Sequence, residues 1–317
     1  MISRRMLLAA PLCLAPIAAR AAWPERPLRL IVPVAPAGPT DIAARIIAAP
    51  LGPLLGQNVV VENRPGGGGN VGSAAVANGP ADGYTMLMGS FSNAANPAMF
   101  TDLPFDTARD LTAVAQITRV PLILTVNPAL PVRTLSELIA LARQGRLTYA
   151  TGGVGTSAHL AGEMFIRFAG IAVPAAHYRG AAPANTDLVA GQVAFMFDNP
   201  QTALPLIAAG RVRAIAVTTP ARIAELPDVP TAAESGLPGL IVTSWHGIFM
   251  RSGTPGAIIE RINREVNVAL QSAEVRERFR ALGVQPAGGT PGDFAAFFTG
   301  EIARWGRVIR EAGIKAE

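Results

Sequence analysis

Residues 28–46 read LRLIVPVAPAGPTDIAARI, and the order of their parts decides the fold. An apolar run, Leu28 to Val34, predicts a strand. It breaks into a small-residue loop, Ala35 to Pro39, and Thr40-Asp41 then opens a helical pattern. A strand feeding a helix through such a loop is the repeating unit of α/β folds. The first turn of that helix leaves backbone N–H groups unpaired, aimed at whatever lies above them. The same device returns at 145–168, GRLTYATGGVGTSAHLAGEMFIRF, with Thr156 and Ser157 as its hydroxyl residues. Two units predict two domains that face each other across a cleft, because open α/β sheets hold ligands at the carboxyl ends of their strands.

Working outward, strand-like runs at 57–61, 84–88, 120–126, 147–150, 193–197, 212–217 and 241–250 alternate with helical patterns. One helix start is explicit: Thr134 caps TLSELIALARQG, with Glu137 three residues on. In TPGAIIERINREVNVALQS, Thr254 is read as the cap and Pro255 as the first helical residue. The alternation predicts mostly parallel sheets flanked by helices. Crossings near 118–126 and 240–250 predict the hinges, with the C-terminal helices returning to the first domain. The boundaries are then 22–121 with 245–317 for domain 1, and 122–244 for domain 2.

Residues 1–21 have a basic start, an apolar middle and small residues before Ala21, the anatomy of a cleaved secretory signal. Ser3-Arg4-Arg5 makes it a twin-arginine candidate. Its loss takes three arginines from a net charge of only +5, which leaves too little basic excess to imply nucleic acid. The single cysteine, Cys13, leaves too, so the mature chain has no disulfide and rests on its core. With 50% hydrophobic residues that core is ample.

Several chemistries find no motif. There is no GxxxxGK[ST] loop, HExxH pair, Cys/His cluster or G-x-S-x-G elbow. The three histidines, His159, His177 and His246, lie far apart in sequence and read as structural residues. GGGGNVG does satisfy G-x-G-x-x-G at Gly67, Gly69 and Gly72. However, the helix after it is brief, and the nearest acid, Asp82, precedes the next strand instead of ending it. A loop that packs backbone closely is the better reading, and no cofactor or metal is expected.

The stretches RLIVPVAPAGPTDIAAR, VVVENRPGGGGNVG, ADGYTMLMG, TGGVGTSAHLAGEMF, HYRGAAPANTDLVAGQVAFMFDN, LPDVPTAAESGLPG and GTPGAIIERIN resemble the Bug (TctC-like) solute-binding proteins of tripartite tricarboxylate transporters. The resemblance spans residues 23–317. It implies a periplasmic, monomeric, non-enzymatic clamshell of the type II-like binding-protein class. Such a protein takes a small carboxylate (a dicarboxylate, an acidic amino acid or an aromatic acid) and passes it to the membrane subunits of the transporter. A sensory subunit on the same fold is the alternative.

The resemblance also implies a binding mode in which backbone N–H groups and water hold the ligand carboxylate. Matched by position, the first loop is Ala37, Gly38, Pro39, Thr40 and Asp41. The second is Gly153, Gly155, Thr156, Ser157 and His159. Ser90 and Phe91 form the cleft floor, Gly180 and Ala181 face the ligand, and Asp198 ends a strand at the cleft mouth. Two positions depart from the family pattern, which has glycine where Ala37 stands and commonly a non-proline small residue at Pro39. Proline has no N–H, so the first loop offers one donor fewer. Local readings stand beside these. Thr40 and Thr156 serve as helix caps. Asp41 either complements the helix dipole or meets the ligand through water or an ammonium group. Asp198 either caps the helix after it or receives an ammonium. Phe91 is either core or a wall for an aromatic ligand. At the second loop, the Thr156 N–H is expected to point at the carboxylate.

Overall fold

The computed structural model describes residues 23–315; the signal segment read at 1–21 lies outside them. Two sheets organise the chain. The first contains β1 (Leu28–Val32), β2 (Val59–Asn63), β3 (Thr85–Ser90) and β4 (Leu111–Pro121). The second contains β5 (Ile123–Val126), β6 (Tyr149–Thr151), β7 (Ala175–His177), β8 (Phe195–Asp198) and β9 (Arg213–Val217). The last strands, β10 (Thr243–Arg251) and β11 (Gln285–Pro286), return to the first sheet. The strand orders are β11-β4-β10-β3-β1-β2 and β7-β6-β8-β5-β9.

The sheets are mixed, which corrects the expectation of mostly parallel ones. β1 pairs in parallel with β2 and β3, and β6 with β7 and β8. These are the strand–loop–helix units. Most antiparallel pairings belong to strands that carry the chain between sheets, β10 against β3 and β4 and β5 against β8 and β9, and the short β11 adds one more against β4. A strand that enters a sheet directly from the other sheet, without a helical crossover, is free of the geometry that enforces parallel pairing.

Only Leu122 separates β4 in the first sheet from β5 in the second. The return path passes beside it. Thr218 donates its N–H to Leu122 O at 3.0 Å and its hydroxyl to Val242 O at 2.5 Å, while Val242 donates back to Thr218 O at 3.1 Å. The two crossings are thus stitched together at a fully buried threonine.

The cores follow from the patterns that predicted the strands. Leu28, Leu30 and Val32 of β1 pack with Ala43, Ile46 and Ile47 from the inner face of the helix Pro39–Leu55. The C-terminal helix, Pro291–Ala312, closes the other face with Phe294, Phe298 and Trp305 against Trp245 and Phe249. Gly247 has no side chain because the Phe294 ring occupies that space. At the centre of this contact, the indole N–H groups of Trp245 and Trp305 both donate to Glu301 Oε2, at 3.1 and 3.0 Å. Among the described residues, no helix is long and apolar enough to cross a membrane.

Glu301→Ala is expected to destabilise the protein by about 2–6 kcal/mol, because two buried indole donors lose their acceptor at about 1–3 kcal/mol each. Equilibrium denaturation in urea measures it. A change within the noise would mean that both indoles find other partners.

Candidate functional site

A cavity of about 60 Å³ lies between the two sheets. Helix beginnings surround it. From the first sheet come Gly38, Pro39 and Thr40, at the start of the helix Pro39–Leu55, and Ser90, Phe91 and Ser92, where β3 runs into the helix Phe91–Met99. From the second come Thr156, Ser157 and Ala158 of the helix Ser157–Ala169 and Gly180 and Ala181 of the helix Ala181–Ala190. Asn199, cap of the helix Pro200–Ala208, completes the ring. The N–H groups of Thr40, Phe91, Ser92, Ser157, Ala158 and Ala181 have no carbonyl above them in their own helices. Each helix adds about half a positive charge at this end. No lysine or arginine borders the space. The arrangement can hold an anion by neutral donors alone.

Most of the residues expected from the sequence meet here: Gly38, Thr40, Ser90, Phe91, Thr156, Ser157, Gly180, Ala181 and Asp198 all border this cavity. Ala37, Asp41, Gly153, Gly155 and His159 do not. Ala37 takes a left-handed φ of 64° and gives its N–H to Asp41 Oδ2 at 2.9 Å. The glycine that the resemblance implies at this position would suit that conformation. Asp41 is 2% exposed. Besides Ala37 it accepts from Arg45 Nε at 2.9 Å and Asn63 Nδ2 at 2.9 Å. Burial opposes its charge, yet these hydrogen bonds hold its carboxyl below the usual carboxylate range. It braces the loop from behind.

The second loop is braced similarly. The Thr156 hydroxyl donates to Gly153 O at 2.7 Å and accepts the His159 N–H at 3.3 Å, so Thr156 is the helix cap. Its own N–H is turned to Gly153 O at 3.4 Å. The expectation that this amide points at the ligand gives way to the next two, Ser157 and Ala158, which border the cavity uncapped. Gly155 gives its N–H to His159 Nδ1 at 3.3 Å, which makes His159 a loop anchor. Gly153 borders a second space that adjoins the first.

Asp198 ends β8 and is 2% exposed. Its carboxylate accepts from Asn185 Nδ2 at 2.7 Å, Asn199 N at 2.8 Å and the Thr202 hydroxyl at 2.7 Å. The helix cap itself falls one residue later, at Asn199. Burial pushes the Asp198 carboxyl up to about 6. Beside it, Asn185 Oδ1 and Asn199 Oδ1 are buried with no hydrogen-bond partner among the described residues. The Phe91 ring packs edge-on against Trp305 at 4.7 Å, which places it in the core even as its backbone borders the cavity.

Sequence reasoning predicted the strand at 241–250, now β10, but not its place at the site. Ser244 and His246 line the cavity from the far wall. His246 pairs in register with Ser90 on one side and Thr118 on the other, and Thr118 Oγ1 lies 2.8 Å from its Nδ1. The lone histidine in SWHGIF carried no signal in one dimension. Only the central place of β10 brings it to the site.

Two α/β sheets with an anion-suited cavity between helix N-termini define a periplasmic binding-protein fold. The chain belongs to the TctC family, described as the tripartite tricarboxylate transporter family receptor, whose model matches residues 43–314. It is therefore a solute-binding receptor and not an enzyme. It is 40% identical over 297 residues to Protein BugT of Bordetella pertussis, covering 92% of this chain and 91% of that one. Among solved structures, R. palustris Rpa4515 with adipate is similar at a TM-score of 0.90 and 39% identity, covering 93% of this chain and 99% of that one. The periplasmic binding protein BugD matches at a TM-score of 0.90 and 30% identity, covering 93% and 100%.

Burial lowers His246 to about 4, and burial together with His177 lowers His159 to about 4, from 6.5. A histidine depressed in this way stabilises the fold fully above pH 6.5, and that contribution is lost as pH falls toward 4. Asp198 acts in the opposite sense, stabilising below about 3.8 and losing that as pH rises through about 6. Two imidazoles outweigh one carboxyl, so the melting point is expected to drop between pH 6.5 and pH 4. The drop should be smaller in His246→Gln, whose amide still offers Thr118 a hydrogen bond. Calorimetric scans at both pH values check this, and equal drops would remove His246 from the account.

Proposed function

We propose that the protein captures a small carboxylate between its two sheets and delivers it to the membrane subunits of a tripartite tricarboxylate transporter in the periplasm. The observation that carries the reading is the ring of uncapped first-turn N–H groups around a cavity with no cationic side chain. Such donors favour an anion, and their neutrality keeps its release easy. Family membership supports the transporter partner. A relative with adipate supports the ligand class. The residues 22–121 with 245–317, and 122–244, act in this reading as two bodies hinged at the stitched crossing. Thr40, Phe91 and Ser92 contribute donors from one side, and Ser157, Ala158 and Ala181 from the other. Asp198, with both oxygens already occupied, shapes the wall and leaves the charge of the ligand to the amides.

Titration calorimetry with a panel of mono- and dicarboxylates tests the reading directly. Binding by one or more acids, with none for NAD, is the expected result; a silent panel would overturn it. The mode of recognition is tested at Ser157. Thr156 already has φ −73° and ψ 160°, a conformation that tolerates a following proline, and proline is favoured at a first helical position. Ser157→Pro therefore removes one N–H with the fold kept, whereas Ser157→Ala removes only the hydroxyl. The proline variant is expected to bind about ten- to a hundredfold more weakly, the worth of a hydrogen bond to a charged group. The alanine variant should change little. If the two variants behave alike, this amide does not hold the carboxylate.

A further inference from the structure

The cavity at the helix starts is the inner part of a longer space. It shares Val34, Ser90, Ser92, Gly152 and Thr156 with an outer cavity of about 390 Å³. The outer walls are the Gly66–Gly69 loop on one side and residues 177–179 on the other. The two parts differ in charge. The inner one has an acid, Asp198, and no lysine or arginine. The outer one has no acid and a single cation, Arg179.

Arg179 directly precedes Gly180, the cap of the helix whose first turn borders the inner cavity. Its side chain is exposed, and none of the ion pairs among the described residues includes it. Several neighbouring side-chain donors are already committed. The Tyr178 hydroxyl donates to Asp187 at 2.5 Å, Asn93 Nδ2 to Ser73 at 2.9 Å, and Asn96 Nδ2 to Gly68 O at 3.0 Å and to Asn70 at 2.7 Å. The lining of the outer cavity also includes Val34, Phe100 and Val154, apolar side chains suited to methylenes.

We propose that Arg179 anchors a second carboxylate, so that the site selects extended α,ω-dicarboxylates with one end among the helix N-termini and the other on the guanidinium. This rests on the carboxylate reading of the inner cavity. The planar fork of arginine matches a carboxylate with two parallel hydrogen bonds. Its exposure limits the gain, so the effect is one of selectivity between ligands and not of binding as such.

Adipate and hexanoate have the same chain length and differ by one carboxylate. Titration calorimetry of the full protein is expected to show adipate binding about tenfold tighter, an advantage that shrinks as salt rises. Arg179→Gln should remove that advantage and leave hexanoate unchanged, and Arg179→Lys should restore part of it. Melting scans of each variant confirm the fold. If the unaltered protein binds both acids equally, or if Arg179→Gln weakens both alike, the role of Arg179 is overturned and the inner site stands. If neither acid binds, the role of Arg179 is overturned, and the carboxylate reading falls only if the wider acid panel is silent as well.

Discussion

The backbone donors of Thr40, Phe91, Ser92, Ser157, Ala158 and Ala181 impose the constraint from which the remaining structure follows. A free N–H at the start of a helix is costly to bury unless something accepts from it. Here helix starts from both sheets are buried around one small cavity. Because the donors come from both sheets, whatever satisfies them also joins the sheets. In the proposed reading, binding and closure are therefore one event, with no separate latch residue required. Holding an anion without a lysine or arginine also avoids desolvating a full positive charge, an expense that a buried ion pair recovers only with excellent geometry.

That closeness demands absent side chains on both lips of the cleft. A Cβ at Gly68 would sit 2.8 Å from Val154 O of the facing loop, and one at Gly180 would lie 3.4 Å from the Ala35 side chain. One at Gly155 would collide with Asn96 Oδ1. Gly68, Gly155 and Gly180 also have φ of 64°, 76° and 136°, where other residues are strained. The glycine-rich stretch that imitates a dinucleotide fingerprint thus has a mechanical reason to exist: it is the lip through which one half of the molecule touches the other.

The sequence disclosed the strand–loop–helix units because each is local. An apolar run, small residues and a capping hydroxyl lie within some twenty positions, and Thr134 with Glu137 forms the capping box its spacing announced. Reading by position failed where a side chain turns away from the line of the chain. Asp41 and His159 stand in the right loops but are drawn behind them by Arg45 and Gly155. Thr254 looked like a cap, yet its hydroxyl turns back to Arg251 O and the cap falls at Pro255. What could not be read was the pairing of β10. Its partners, β3 and β4, are more than a hundred residues upstream, and no local pattern encodes them. His246, Ser244 and the mixed sense of the sheet were hidden together.

The position of β10 also orders events during synthesis. The second sheet is drawn from a continuous stretch, Ile123 to Val217, and can close as soon as that stretch has emerged. The first sheet cannot. Its centre is vacant between β3 and β4 until Thr243–Arg251 arrives, and its outer face waits longer, for Pro291–Ala312. A nascent chain must therefore carry β4 without a partner and β3 with an open edge, the parts most exposed to wrong partners. The ribosome releases a molecule whose later-encoded half is needed to finish its first-encoded one.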